Sequence, residues 1–185
     1  MTALTRNPAN IDLLQSTKFQ VMFDRLPGVN YFCQTANLPG ISLTEFPVAT
    51  PFVDLYLPGE KAVYDTFNIT FLVDEDLRAW TELHDWIRGI TFPTDFKEYV
   101  DLARSSPQAN IRSSYGQRPA PYSTAIMTIY TNKNNPNFRV KLIDCFPTSV
   151  GSLVFNASDT AENIVTADAT FRFSYYNYER LRGSN

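Results

Sequence analysis

Glycine is scarce in this chain: there are 7 in 185 residues, and none falls in a GxGxxG, GxxxxGK or GxSxG pattern. The phosphate-cradling loops and the nucleophile elbow that those spacings build are therefore missing. Histidine is scarcer still. His84 is the only one, so it is a candidate base or metal ligand with no second imidazole to work with, and a structural role is expected. The two cysteines, Cys33 and Cys145, lie far apart and outside any metal-ligand spacing. Both sit in strand-like runs, which favours buried free thiols over a disulfide and fits a reducing cytoplasm. No apolar run approaches the ~20 residues of a membrane span, and the polar start does not read as a secretion signal. Without that signal the Asn156-Ala157-Ser158 acceptor carries little weight. Positive charge is also short: the formal net charge is -3 and the basic residues are scattered. Tight nucleic-acid binding is not expected of such a surface, and DNA meeting it should pass. Asp74/Asp76 and Asp85/Asp101 read as helix-start and surface charges, not acid/base pairs. No catalytic residue, metal or cofactor is expected.

What the chain does have is aromatic bulk and alternation. Phe 14 and Tyr 10 bring the aromatic share to 14%, which favours β structure or large interfaces. A length of 185 residues suits one domain with a proper core. Residues 1–16 read as a flexible arm. From Thr17 to Asp24, Phe19, Val21 and Phe23 alternate with Lys18, Gln20 and Met22, which predicts a half-buried strand. The Pro27-Gly28 turn and a second strand, Tyr31 to Ala36, complete an expected hairpin. Thr66 to Val73 alternates again, with Phe67, Ile69, Phe71 and Val73 on one face. It runs straight into the one long helix that announces itself, DEDLRAWTELHDWIRG at 74–89.

In that helix Leu77, Trp80, Leu83, Ile87 and Ile90 recur at spacings of three and four and draw one apolar stripe. Asp74 is placed as N-cap, Glu75, Asp76 and Arg88 complement the helix dipole, and Gly89 is placed as the C′ residue. The stripe Leu77, Trp80, Leu83 and Ile87 should buttress a sheet, leaving Glu82, Asp85 and Trp86 free to meet a neighbour. A second helix is possible from Thr94 to Arg104, and residues 105 to 122 read as a Ser/Pro/Gly-rich loop.

Residues 41–61, ISLTEFPVATPFVDLYLPGEK, are harder to place. Pro47, Pro51 and Pro58 bar the stretch from a sheet centre. Phe46, Val48, Phe52, Val53, Leu55 and Tyr56 give it more apolar surface than a solvated loop needs. It is either an edge hairpin folded back on its own core or a protruding arm that reaches a neighbouring subunit. The last third is β again. Ala125, Met127 and Ile129 alternate, then Phe138, Val140 and Leu142, with Asp144 interrupting just before Cys145-Phe146-Pro147. A short strand around Ser152 to Phe155 and the loop NASDTAEN precede one long strand, Ile164 to Tyr178. Val165, Ala167, Ala169, Phe171, Phe173 and Tyr175 form its apolar face, and Thr166, Asp168, Thr170, Arg172 and Ser174 its polar one.

The order of these features resembles the tail tube protein family of contractile-tailed bacteriophages, including the related baseplate proteins that start the tube. The strand FQVMF is followed by FCQTANLPG, the arm ending LPGEK, TFNITFLVDED, the helix LRAWTELHDWI, DCFPTSV and TADATFRFSYY. The resemblance covers residues 17–178 and is most specific at 66–89, 146–150 and 166–171. Residues 91–122 look like an insertion. It implies a mainly β fold, a β-sandwich or small barrel with one flanking α-helix, closing into a composite barrel in a hexameric ring. Rings then stack into a tail tube through which the genome is ejected, the arm at Phe46, Val48, Phe52, Leu55 and Tyr56 reaching the adjacent ring. The polar face Thr166/Asp168/Thr170/Arg172/Ser174 is the first candidate for the lumen, with outer solvent or a sheath subunit as alternatives. Implied partners are other copies of the chain, sheath and baseplate proteins, and DNA as a transient passenger. The implied location is the virion tail, assembled in the host cytoplasm. A single-ring baseplate initiator, a ring protein of a contractile secretion system and a monomeric β-sandwich binding module stay open.

Overall fold

The computed structural model describes residues 12–105, 121–156, 158 and 164–181. The expected arm at 1–16, the loop at 105–122, the NASDTAEN loop and the tail at 179–185 lie wholly or partly outside these residues. In chain order the elements are β1 (Phe19–Phe23), α1 (Pro27–Phe32), β2 (Cys33–Ala36), β3 (Ile41–Val48), β4 (Leu55–Tyr64), β5 (Phe67–Leu72), α2 (Arg78–Thr91), α3 (Lys97–Ser105), β6 (Ser123–Tyr130), β7 (Pro136–Val150), β8 (Thr166–Arg172) and β9 (Tyr175–Arg180). The fold is mainly β.

Two antiparallel sheets share one strand. The first half of β7 pairs with β6 and β9, and β6 pairs with β1. The second half of β7 pairs with β8, which pairs with β5, which pairs with β2. The changeover is at Asp144, a non-glycine residue at φ 55. Inward side chains slip by one position there: Val140 and Leu142 are buried before it, Cys145 and Pro147 after it. Across the ladder the same slip occurs between Phe173 and Ser174, where the expected single strand 164–178 breaks into β8 and β9. Ala167, Ala169 and Phe171 point inward before the break, and Tyr176 packs on the core after it. Tyr175, expected inward, is exposed. Ser174 ties the two corners together, its N–H donating to Ile143 O at 3.0 Å and its hydroxyl to Asp144 Oδ2 at 3.3 Å. Asp144 thus bends β7 without ending it, and Ser152 to Phe155 form no strand.

The core lies between the sheets. Phe23 of the first sheet stacks on Phe171 of the second with ring centroids 4.8 Å apart, and Phe67 sits 6.2 Å from both. Each fully buried ring contributes roughly 1.5–3 kcal/mol, and ring pairs add about 0.5–1.5 kcal/mol. Trp86 of α2 reaches the same cluster, 6.4 Å from Phe171.

The expected β1–β2 hairpin does not form. Pro27 stands at the start of α1, where a missing N–H costs nothing. Leu26 and Val29 are buried, and the Asn30 amide bonds back to both Phe23 N and Phe23 O. The chain is thereby carried across to pair β2 with β5.

The long helix also differs from expectation. Asp74 to Leu77 form a turn, Leu77 sits at φ 56, and α2 begins only at Arg78, so the N-cap position falls to Leu77, while the Asp74 carboxylate still accepts the Ala79 N–H of the first turn at 3.4 Å. The helix runs past Gly89 to Thr91 and ends at Phe92, φ 36, whose N–H donates to Arg88 O at 2.7 Å. Its buried face is Ala79, Leu83, Trp86 and Gly89. Of the expected buttress, Leu83 is fully buried, Trp80 and Ile87 are half-buried, and Leu77 is 36% exposed. Trp86, expected to face a neighbour, is 2% exposed. Small residues explain the rotation. Ala79 lets α1 approach through its Gly28, where an added Cβ would stand 3.3 Å from Ala79 Cα, and a Cβ on Gly89 would meet Leu102 Cβ of α3 at 2.8 Å. Gly89 serves close packing, not helix termination. Trp80 still braces the sheet, donating Nε1–H to Gly151 O at 3.1 Å.

Both cysteines are free. Burial pushes the Cys145 thiol up to about 12 and the half-buried Cys33 thiol to about 11.

Two outcomes follow. Trp86→Ala should lower the equilibrium stability by about 3–5 kcal/mol in denaturant titration, and Leu77→Ala by less than about 1 kcal/mol. Native protein at neutral pH should resist iodoacetamide at both thiols until denaturant is added, because little thiolate exists to react.

Candidate assembly surfaces

The stretch 41–61 is neither loop nor core. β3 and β4 form a separate two-stranded ribbon, with Ile41 opposite Tyr64 at its base and Val48 opposite Leu55 near its tip. A two-stranded ribbon has an open side on each strand, which is why Pro47 and Pro58 are tolerated. Near mid-length the ladder breaks, so that Gly59, Glu60 and Lys61 of β4 bulge opposite Thr44. Gly59 is required there: a Cβ would stand 2.4 Å from Thr44 O. At the tip the Thr50 hydroxyl and Val53 bond to each other, and Phe52 is 97% exposed. Among the described residues the ribbon is held at its root. Asp65 N–H donates to Gly40 O at 3.1 Å, the Tyr64 ring meets Phe173 and Tyr176 at 5.6 and 5.3 Å, and Arg172 Nη1 reaches Tyr64 O at 3.4 Å. A hairpin folded back on its own core is thus excluded, because Ile41, Leu43, Phe46, Leu55, Tyr56 and Leu57 are all exposed.

The second surface is the outer face of the β2–β5–β8 sheet. Asn68 lies opposite Thr170 and Thr70 opposite Asp168, and the Thr70 hydroxyl donates to Asp168 Oδ1 at 2.7 Å. Thr166, Asp168, Thr170 and Arg172 share this face, since they alternate with buried Ala167, Ala169 and Phe171. Ser174 does not share it, because the break before it moves it to the corner with Asp144. The β8 stretch of the face therefore carries one carboxylate and one guanidinium. β2 is the open edge of this sheet.

His84 lies on α2, its ring stacked on Trp80 at 5.1 Å and its Nδ1 3.3 Å from Asp85 Oδ1. Those contacts position a ring and offer no reacting partner. Beside α2, a cleft of about 570 Å³ is lined by Arg25, Glu82, Trp86, Arg88, Glu98 and Leu102. Arg88 Nη2 binds Glu98 Oε1 at 2.6 Å. Burial pushes the Glu82 carboxyl up, and its Oε2 accepts Gly28 N–H at 3.2 Å. The Arg25 guanidinium lies over the Trp86 ring at 5.4 Å, desolvated, and among the described residues its Nε and Nη2 meet no acceptor. No sequence signal separates Arg25 from the other scattered basic residues. Among the described residues no group of three or more His, Cys, Asp and Glu side chains is placed to hold a metal, and no helix is long and apolar enough to cross a membrane.

The sequence matches the phage tail tube protein family over residues 8–179. This chain belongs to that family. The structure is similar to the tube-terminating cap of the anti-feeding prophage, with a TM-score of 0.59 and 14% identity over 97% of this chain and 99% of that one. It is also similar to a chain from the sheath–tube complex of the PVC extracellular contractile injection system, with a TM-score of 0.56 and 15% identity over 91% and 93% of the two chains. A chain from the sheath/tube terminator of the PVC system gives 0.55 and 12% over 93% and 99%. At such identities the likeness is one of fold. Curated protein sequences give no significant match. Tail tube proteins are structural, and for a member of that family the two surfaces described above are the features that bear on its role.

Proposed function

We propose that this tail tube protein, with residues 17–178 acting as one domain, closes into hexameric rings that stack into the tube of a phage tail, the conduit for genome ejection. The carrying observation is the β3–β4 ribbon, which is apolar, exposed and rooted at a single point. An open strand edge is a liability in a lone chain, and ring closure removes it by pairing the β2 edge with a neighbour. The ribbon then serves contact between rings.

The Thr166/Asp168/Thr170/Arg172 face is assigned to the lumen. With one Asp and one Arg it holds no excess positive charge to retain phosphates, so DNA slides. Sheath and baseplate proteins are the expected outer partners, and the virion tail the expected location. A second reading, a single ring that starts or ends the tube, is favoured by the likeness to a tube-terminating cap over nearly the full length of both chains.

Electron micrographs of the purified protein separate the two readings: long smooth tubes mark the repeating subunit, isolated rings the terminal one. For a repeating subunit, Phe52→Asp combined with Leu55→Asp should leave single rings and abolish stacking, and tubes of normal length in that variant would refute the role given to the ribbon. Thr166→Lys with Thr170→Lys should slow genome ejection while tubes still assemble, and unchanged ejection kinetics would remove that face from the lumen.

A further inference from the structure

We propose that the β3–β4 ribbon leaves the body of the free chain at a preset angle, held by a clamp of three rings, Tyr64, Phe173 and Tyr176, with Arg172 as a strut. These are positioning residues for the ribbon. Their use in assembly rests on the reading above, that the ribbon contacts another copy.

A ribbon joined to a body by two chain crossings is a flap. Here the crossings are Gly40–Ile41 and Tyr64–Asp65, tied to each other by the Asp65 N–H on Gly40 O at 3.1 Å. They define a hinge line about which both strands can swing together without breaking a bond between them. The lever is long: β3 has 8 residues and extends about 27 Å at ~3.4 Å per residue. A swing of about 10° at the root would carry the tip through about 5 Å. Only contacts off the hinge line oppose that motion.

Tyr64 makes such contacts. Its ring extends from the root of β4 to meet Phe173 at 5.6 Å and Tyr176 edge-on at 5.3 Å, and those two rings lie 6.1 Å from each other. Phe173 and Tyr176 both pack on the core, so the body anchors them and the ribbon does not. Phe173 also adjoins Ser174, which bonds to Asp144, and the clamp thereby stands on the corner where the two sheets meet. Arg172 Nη1 donates to Tyr64 O at 3.4 Å, which commits the guanidinium to the root. The other strand has no such hold, since Ile41, opposite Tyr64, is 59% exposed. The swing is therefore fixed through β4 alone. A segment already pointing in its bound direction forfeits less freedom on docking, so the clamp strengthens a contact in which its own rings take no part.

The test is a distance measurement by double electron–electron resonance. Spin labels go on Ala49→Cys near the tip and Lys141→Cys on the first sheet, both exposed positions, in chains diluted with unlabelled protein so that distances within one chain are read. A chain with only Cys33 and Cys145 is the labelling control. The parent should give one narrow distance peak. Tyr64→Ala combined with Arg172→Ala should widen it by about 5 Å or more, with the denaturant midpoint unchanged, and Ile41→Ala should leave it as it was. Where the midpoint falls, Tyr64→Leu replaces Tyr64→Ala, keeping apolar bulk without the ring. The concentration needed to form sedimentable assemblies should rise by up to about tenfold in the combined variant. A broad or multiple distribution in the parent overturns the clamp, as does a peak that stays narrow in the combined variant or widens equally with Ile41→Ala. A peak that widens as expected while assembly is unchanged leaves the clamp standing and overturns the reading that the ribbon contacts another copy.

Discussion

One long strand holds the two sheets together, and the rest of the fold depends on how it turns. β7 runs 15 residues and spends its first half in one sheet and its second in the other. The turn is possible because Asp144 takes a left-handed backbone conformation and its partner strand breaks at the same level, at Ser174. Each strand slips one residue in phase, so the inward positions stay inward after the bend. Without the paired slip, the side chains beyond the corner would exchange core for water. Phe171, which meets Phe23 from the first sheet and Trp86 from α2, would lose its place with them.

The helix layer is built on a different principle. Large apolar residues supply the area, but small ones decide the approach. Ala79 and Gly89 let α1 and α3 come close, which turns Trp86 into the core and Leu77 toward water. The left-handed residues at both ends, Leu77 and Phe92, fix the helix at Arg78–Thr91. His84 belongs to this packing, as a ring stacked on Trp80.

Much of this was legible in the residues. Alternation located β5, β6 and the inward faces of β1 and β8, because each strand there has core on one side only. The apolar load of 41–61, against its prolines, marked a segment that belongs neither to a loop nor to a sheet centre. Three things were hidden. Phase slips at Asp144 and Ser174 look like continued alternation when only large side chains are counted. The true partner of β2 is β5, a non-local choice that depends on α1, whose Pro27-Gly28 reads equally well as a turn. The rotation of α2 was written in Ala79 and Gly89, which weigh little in any hydrophobic count. Arg25 carried no signal at all, since its position over Trp86 exists only after the helices pack.

The exposed ribbon has a consequence for solubility. A lone chain carries Phe46, Phe52, Leu55 and Tyr56 into water on two strands that pair with no third one among the described residues. Exposed apolar side chains beside open strand edges are the combination that favours indiscriminate association.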